Sequence, residues 1–399
     1  MSEKLFSDSI ELLTFQQHRI LKEHEMDMNL WGGVRLKDIW PSDCDFSSKK
    51  DVNRAYDLVI KQIEKMRSEP ADYSLFSIPE LLREKVTVTP DFPAPQKIMG
   101  RCPCPKDGEL TRCCNLRTLD AVQQCAYGCA YCSIQSFYSK NNIKVVKDLD
   151  SYLENLSLEE GVWHIGTGQS SDSLFFGDDY GTLSALSKFA YSHPDVVIEL
   201  KTKSARKDWV TMDLPRNIVA TWSINAKTIV EKEEHLTASA EDRIESAVKA
   251  SEHGKLVGFH IHPMVYFKGW KDEYKALVDK LCSSLDPEKV VMTGIGTLTF
   301  TKQNLRVLRE GGRPTLVTKM PLSPAAGKYS YPLETKKEMF SYLYSLFPQA
   351  WKDKVFFYLC MEDPSLWKPC LGREYSCNAD FDTHMRQFYF AKILSSCNI

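Results

Sequence analysis

No stretch of this 399-residue chain stays apolar for the ~20 residues that a bilayer-spanning helix requires. The N-terminal MSEKLFSDSIELLTF interleaves acids with short apolar runs and lacks the apolar segment of a secretory signal. The sequence therefore predicts a cytoplasmic protein with no membrane partner. Charge of one sign is also lacking: 51 Lys and Arg face 53 Asp and Glu, a formal net charge of −2, which argues against a general polyanion binder. One local imbalance stands out. From Lys302 to Lys354 ten basic residues face four acids. Such a stretch reads either as a track for a phosphate backbone or as a solvated helical face.

Cysteine is not lacking. Thirteen in a chain expected in a reducing compartment point to metal or redox chemistry rather than disulfides. The organising stretch is Gln124 to Tyr138, QCAYGCAYCSIQSFY, which spaces Cys125, Cys129 and Cys132 as C-x3-C-x2-C. Three thiolates on one tight loop hold three irons of a 4Fe–4S cube. Such clusters usually take four Cys, so this loop either lacks its fourth ligand or keeps an iron open. The competing reading is zinc, which needs four ligands and would recruit Cys113 or Cys114 from outside the loop. That would make a zinc-stabilised nucleic-acid-binding module. A second group, Cys102, Cys104, Cys113 and Cys114, matches no ligand spacing with a physical rationale. A second metal site and buried structural thiols both stand as readings, with Cys113 and Cys114 expected on opposite faces at the start of a strand.

The coarse pattern divides the chain into a helical region 1–85, a Pro- and Cys-rich connector 86–112, a strand–helix alternation 113–312 and an α+β extension 313–399. In the first region Ile10–Leu13 and Asp51–Met66 have helical spacing, and Ser77–Glu80 resembles a capping box. Expected strands are Leu116–Val122, Val162–Ile165, Val196–Leu200, Ile218–Ile224, Leu256–Val265 and Val290–Ile295. Helices are expected between them, including a short one at Lys207–Met212. Six successive β/α units predict an α/β fold with a parallel sheet whose site lies at the carboxyl ends of the strands. His260 and His262 alternate along the fifth strand and read as a satisfied strand-end pair. The scattered Trp residues read mainly as core.

The three-Cys loop, with Tyr131 before its last Cys, resembles the radical SAM superfamily, whose open iron chelates S-adenosylmethionine. Three later strand ends offer polar groups of the kind that cofactor needs. His164-Ile-Gly166-Thr-Gly168-Gln-Ser-Ser171-Asp172 follows the second strand, with Gly166 and Gly168 permitting close backbone approach. Lys203 ends the third, and Ser223 and Asn225 end the fourth. Together CAYGCAYCSIQ, GTGQSSDSL, ELKTKS, TWSIN, TASAEDRIESAVKASEHG, HPMVYFKGW and FFYLCMEDPSLW resemble the spore photoproduct lyase family over roughly residues 100 to 375.

The resemblance implies a partial (β/α)6 TIM-type barrel, a 4Fe–4S cluster on Cys125, Cys129 and Cys132, and S-adenosylmethionine contacts from Ser171, Lys203 and Ser223. It also implies a reductant such as flavodoxin or ferredoxin and DNA carrying a pyrimidine lesion. Two positions depart from the family. Gln169 stands where the lyase has its hydrogen-donor Cys, and Ser133 where it has a Tyr. The hydrogen donor is then expected elsewhere, with Tyr358, Cys360, Cys370 and Cys377 as candidates. The missing donor Cys also favours a second substrate class: a protein, an RNA or a small molecule.

Overall fold

The computed structural model describes residues 11–42, 48–78, 86–95, 98–102, 110–136 and 142–395. The first strands are β1 (Thr87–Phe92), β2 (Met99–Arg101) and β3 (Arg117–Leu119). β4 (Val122–Gln123) and β5 (Gly128–Cys129) bracket the start of the cysteine loop, and β6 (Asn142–Val146) pairs with β1 and β4. Then follow β7 (His164–Thr167), β8 (Val197–Thr202), β9 (Ile218–Ser223), the two-residue β10 (Glu234–His235), β11 (Leu256–Met264) and β12 (Val290–Thr297). Short β13 (Thr299–Phe300), β14 (Ser323–Ala325) and β15 (Lys328–Ser330) make a small antiparallel sheet, and β16 (Phe356–Leu359) is the last strand.

The frame is one eight-stranded sheet ordered β16-β12-β11-β9-β8-β7-β3-β2, curled into a partial barrel. Every neighbouring pair in it is parallel except β2–β3. Its central strands are buried along almost their whole length, as apolar strands covered on both faces must be. Helices Thr182–Ser192, Ala240–Glu252, Trp270–Ser284 and Lys302–Gly311 run between strands. Side chains fix where two of these helices begin: Ser239 accepts from the Asp242 N–H, and Thr301 from the Asn304 N–H. Because the strands run parallel, the ends of β7, β8, β9, β11 and β12 share one rim with the loop after β3. No helix among the described residues is long and apolar enough to cross a membrane.

Several local expectations need correction. The strand expected over Leu116–Val122 splits: β3 stays in the barrel sheet, while β4 leaves for the sheet with β6. Cys113 and Cys114 precede β3 in irregular chain, and Asn115 is left-handed (φ 53°), so strand alternation does not separate their side chains. Lys207–Met212 forms turns rather than a helix. Local bonds occupy it: Arg206 binds Asp208 and Asp179, and the Trp209 indole donates to the Arg206 carbonyl. Residues 11–13 are turn; the helix starts at Phe15, where Thr14 and Gln17 form the capping box. Ile10, Pro79 and Glu80 lie outside the described residues. The connector contributes β1 and β2, both edge strands, which is where Pro90 is tolerated. The segment beyond residue 312 supplies β16, paired with β12 inside the main sheet.

Four of the ten basic residues in the stretch Lys302–Lys354 form ion pairs with carboxylates among the described residues. Arg306 pairs with Glu310, Lys336 with buried Glu362, and Lys354 with Glu288. Arg309 pairs with Glu23 and Asp27, the latter also held by Arg67 at 2.5 Å. These last pairs fasten the N-terminal helices Phe15–Trp31 and Lys49–Ser68 to the barrel helix Lys302–Gly311. Lys336 is thus a buried structural partner and Arg309 a largely buried one, whereas the Arg306 and Lys354 pairs are exposed.

Candidate active site at the barrel rim

The three-Cys loop is held from both sides. β5 pairs antiparallel with β10, setting Cys129 opposite Glu234 and Gly128 opposite His235. The Ala130 N–H donates to the Glu233 carbonyl (2.8 Å), and the Cys132 N–H to the Cys129 carbonyl (3.1 Å). Arg313 donates to the Gly128 carbonyl at 3.0 Å, and a Cβ on Gly128 would stand 3.1 Å from that guanidinium, which is why glycine suits the position. Burial pushes the Cys129 thiol up to about 12 and raises Cys125 well above its ordinary value. A metal centre reverses that balance, because its charge favours the thiolate.

Beside the loop sits an ionic knot centred on the fully buried Glu234. Its carboxylate takes Lys203 (3.0 Å), the Tyr131 hydroxyl and the Asn225 amide (3.3 Å), and pairs with Arg243 at 2.7 Å. Burial alone would raise this carboxyl, but the Lys203 and Arg243 charges hold it down at about 2. Two cations around one carboxylate leave positive charge at the loop's edge, which suits an anionic carboxylate or the cluster itself. Sequence reading passed over Glu234 and Arg243. Their signal was present: an Arg beside Ile244 on an otherwise uncharged helix face, and the acid pair Glu233-Glu234 at the end of the helix Lys227–Glu233.

The strand-end residues divide by role. Lys203 lies in the knot, with Nζ 3.2 Å from the Tyr131 hydroxyl. Asn225 is saturated: its amide donates to the Pro263 carbonyl (2.9 Å) and its oxygen accepts from Tyr274 (2.7 Å). Asp172 accepts from the Thr202 hydroxyl and from the Lys203 and Leu174 N–H groups, so it braces β7 against β8 rather than offering a free acceptor. Gly168 has φ +82°, and a side chain there would collide with the Lys201 carbonyl. Gly166 packs on Leu116, Ser171 is buried, and Ser223 faces the cavity described next.

That cavity, about 370 Å³, opens beside the loop. Its floor is a buried network around Glu199, which accepts from Lys201 (2.9 Å), His260 (2.7 Å) and Thr221 (2.9 Å), with His164 at 3.0 Å. Burial opposes ionisation of Glu199, yet Lys201 and the two histidines hold it well below the usual carboxylate range. Burial lowers His262 to about 3, so it is a neutral imidazole at working pH. Arg101, Arg112, Gln169, Tyr358 and Cys360 also line the space. Of the expected hydrogen donors, the structure brings Tyr358 and Cys360 to the cavity. Cys370 and Cys377 are not among its lining residues; Cys370 packs toward the Lys337 carbonyl and Cys377 lies beside Ser376.

Residues 119–350, more than half of the chain, match the family model for spore photoproduct lyase. The chain belongs to the spore photoproduct lyase family. It is 30% identical to the spore photoproduct lyase of Clostridium acetobutylicum over 110 residues, covering 28% of this chain and 32% of that protein. It is likewise 30% identical to the Bacillus subtilis enzyme over 145 residues, covering 32% of this chain and 42% of that one. The chain thus spans less than half the length of either curated relative. A solved spore photoproduct lyase mutant with bound AdoMet and dinucleoside spore photoproduct superposes with a TM-score of 0.52 at 19% identity, covering 72% of this chain and 88% of that one. At that identity the likeness shows a shared fold.

Proposed function

We propose that this member of the spore photoproduct lyase family is a radical SAM enzyme whose substrate is a pyrimidine lesion in DNA. The observation that carries the reading is the three-thiol loop, fixed by β10 and Arg313 next to the Glu234 knot. The donor set fits a 4Fe–4S cluster: three thiols on one loop, with Arg313 Nε, His235 Nε2 and Gln124 Oε1 buried around it and lacking partners among the described residues. Cys125, Cys129 and Cys132 would hold the cluster, and Lys203, Ser171 and Ser223 would contact S-adenosylmethionine. When bound, the pair supplies one-electron cleavage to a 5′-deoxyadenosyl radical that takes a hydrogen from substrate.

The chain's own residues do the rest. Tyr131 and Lys203 present a donor-rich edge beside the loop, with Glu234 and Arg243 holding them in place. Arg101, Arg112 and Lys201 supply cations to the cavity, which suits a phosphate-linked substrate. The cavity walls exclude bulk water from a reactive carbon centre. Gln169 has no S–H or phenolic O–H weak enough to give its hydrogen to such a centre, so the return falls to the Tyr358 phenol or the Cys360 thiol, both in the cavity. The electron comes from an external reductant of the flavodoxin or ferredoxin type.

The test is anaerobic reconstitution with iron and sulfide, reduction with dithionite, and incubation with S-adenosylmethionine and dinucleoside spore photoproduct. The expected products are 5′-deoxyadenosine and repaired dinucleoside, neither appearing with Cys129→Ala. Adenosyl product without repair moves the substrate to protein, RNA or a small molecule. No adenosyl product, with zinc in place of iron, leaves the non-catalytic binding module.

A further inference from the structure

Outside the three-Cys loop, the described residues hold one other gathering of thiols. Cys102, Cys113, Cys114 and Cys360 come from three separate stretches of chain and all line the same cavity. Each stretch is anchored. Cys102 follows edge strand β2, and its N–H donates to the Leu116 carbonyl at 3.1 Å. The Cys113 N–H donates to Asn378 Oδ1 (3.1 Å), and Arg112 donates to the Tyr375 and Ser376 carbonyls (2.9 and 3.0 Å). Those bonds pin the vicinal pair to the start of helix Asn378–Ser395. Cys360 continues β16, and its N–H donates to the Ile295 carbonyl. Both thiol-bearing turns bend through left-handed residues, Asn115 (φ 53°) and Met361 (φ 59°).

The four are mutual neighbours. Cys114 bonds Cys113 and feels the charge of Cys102 and Cys360; Cys360 feels Cys102 and Cys113. The Asn115 N–H points at the Cys113 sulfur (3.4 Å), the kind of contact that steadies a thiolate. Lys201, on the cavity floor, lies within electrostatic reach of Cys114 and Cys360, so a buried cation already offsets thiolate charge there.

We propose that Cys102, Cys113, Cys114 and Cys360 hold a second iron–sulfur cluster, in the cavity beside the three-Cys loop. Four thiolates are the usual set for a two- or four-iron cluster. A single zinc ion fits less well. Among the described residues no three His, Cys, Asp or Glu converge on one ion, and Cys125, Cys129 and Cys132 do not either. A cluster spreads its thiolates over several irons and does not need that convergence. With Cys360 engaged as a ligand, Tyr358, two residues earlier on the same strand, is left as the hydrogen source in the cavity.

The experiment counts metal per chain, with sulfide analysis and low-temperature EPR. It compares the full-length wild type, a Cys125→Ala/Cys129→Ala/Cys132→Ala variant, and that variant with Cys114→Ser added. The expected result is that the triple variant keeps about two to four irons with matching sulfide. Adding Cys114→Ser should remove at least nine-tenths of that iron while circular dichroism shows the fold intact. An iron-free triple variant overturns the proposal, and so does one zinc per chain in place of iron. Iron that survives Cys114→Ser and Cys360→Ser overturns it as well. Should Cys114→Ser fail to fold, Cys113→Ser takes its place and the triple-variant count still decides. Adenosyl production depends on the other three thiols, so its failure is read separately.

Discussion

The barrel rim carries two thiol-bearing walls, one beside the cavity and one lining it, built in opposite ways. On one, Cys125, Cys129 and Cys132 sit within eight consecutive residues, and distant parts of the chain — β10, Arg243, Arg313 — come to brace a loop that already carries its ligands. On the other, the thiols are dispersed between positions 102 and 360, and only the curl of the sheet brings them together. The first wall is a motif supported by a fold; the second is a site that exists only because of the fold. A contiguous loop presents its donors whatever the barrel does in detail. A dispersed set depends on β2, the 112–115 turn and β16 all being in place.

The sharpest separation between the walls comes from Cys129→Ala. Adenosyl production should fall to the protein-free level, because two remaining thiolates cannot hold the cube with one iron open. The same variant should retain the iron assigned to Cys102, Cys113, Cys114 and Cys360. Loss of all iron from this single change would merge the two walls into one site and break the comparison.

Next in size is Glu234→Gln. The carboxylate is wholly buried between Lys203 and Arg243, and its removal leaves the buried Arg243 and the partly buried Lys203 without their counter-charge. A loss of about 3–5 kcal/mol is expected, read from denaturant unfolding. The iron-loaded protein should also bind S-adenosylmethionine more weakly, since Lys203 loses its anchor. Unchanged stability would mean that the knot is a bystander and the loop supports itself.

The walls also differ in how legible they were. The cluster loop, the β/α alternation and the family resemblance all rest on local signals: spacing within a loop, and apolar runs of strand length separated by helical periodicity. Cys360 was visible only as one thiol among several, and its meeting with Cys114 is a tertiary fact with no sequence period. Asp172 and Asn225 look like free ligand groups in sequence. In the structure both are saturated by backbone and side-chain partners, because strand ends in a closed rim need polar groups to tie neighbouring strands together. Arg243 stands out in sequence only as a charge among small and apolar residues, and its pairing with Glu234 at the rim is a tertiary fact. Cys377 looked equivalent to Cys360 because nothing in sequence tells which thiol of an extension turns toward the barrel.

A pH measurement tests the bracing of the first wall. Glu233, next to Glu234 on the chain, accepts from the Tyr73 and Thr315 hydroxyls and the Leu316 N–H, joining β10 to the N-terminal region and the 313–317 segment. Burial raises its carboxyl from 4.5 to about 7, against those hydrogen bonds. The folded state therefore holds the proton more tightly than the unfolded state. Between about 4.5 and 7 the unfolded chain has released it and the native chain has not, so stability falls as pH rises through that window and levels off above it. The full span is on the order of 3 kcal/mol. Unfolding curves from pH 4.5 to 8 should show this decline in the wild type and a flatter profile in Glu233→Gln. Identical slopes would place the ionisation elsewhere.

The smallest expected effect is the most local. Arg313 reaches the Gly128 carbonyl and lies beside Cys129, so it puts one positive charge against the cluster loop. Arg313→Gln removes the charge while keeping a polar amide donor on a shorter side chain. Positive charge near a cluster favours its reduced form, so the potential should move negative by some tens of millivolts, the scale of about 1 kcal/mol for one electron. Thermal stability should change little. The cluster assigned to Cys102, Cys113, Cys114 and Cys360 should keep its potential, since Arg313 is not among the residues lining that cavity. EPR-monitored redox titration of both signals in one sample reads the two walls side by side. A shift in both would show that their electrostatics are shared; a shift in neither would reduce Arg313 to a backbone brace for Gly128.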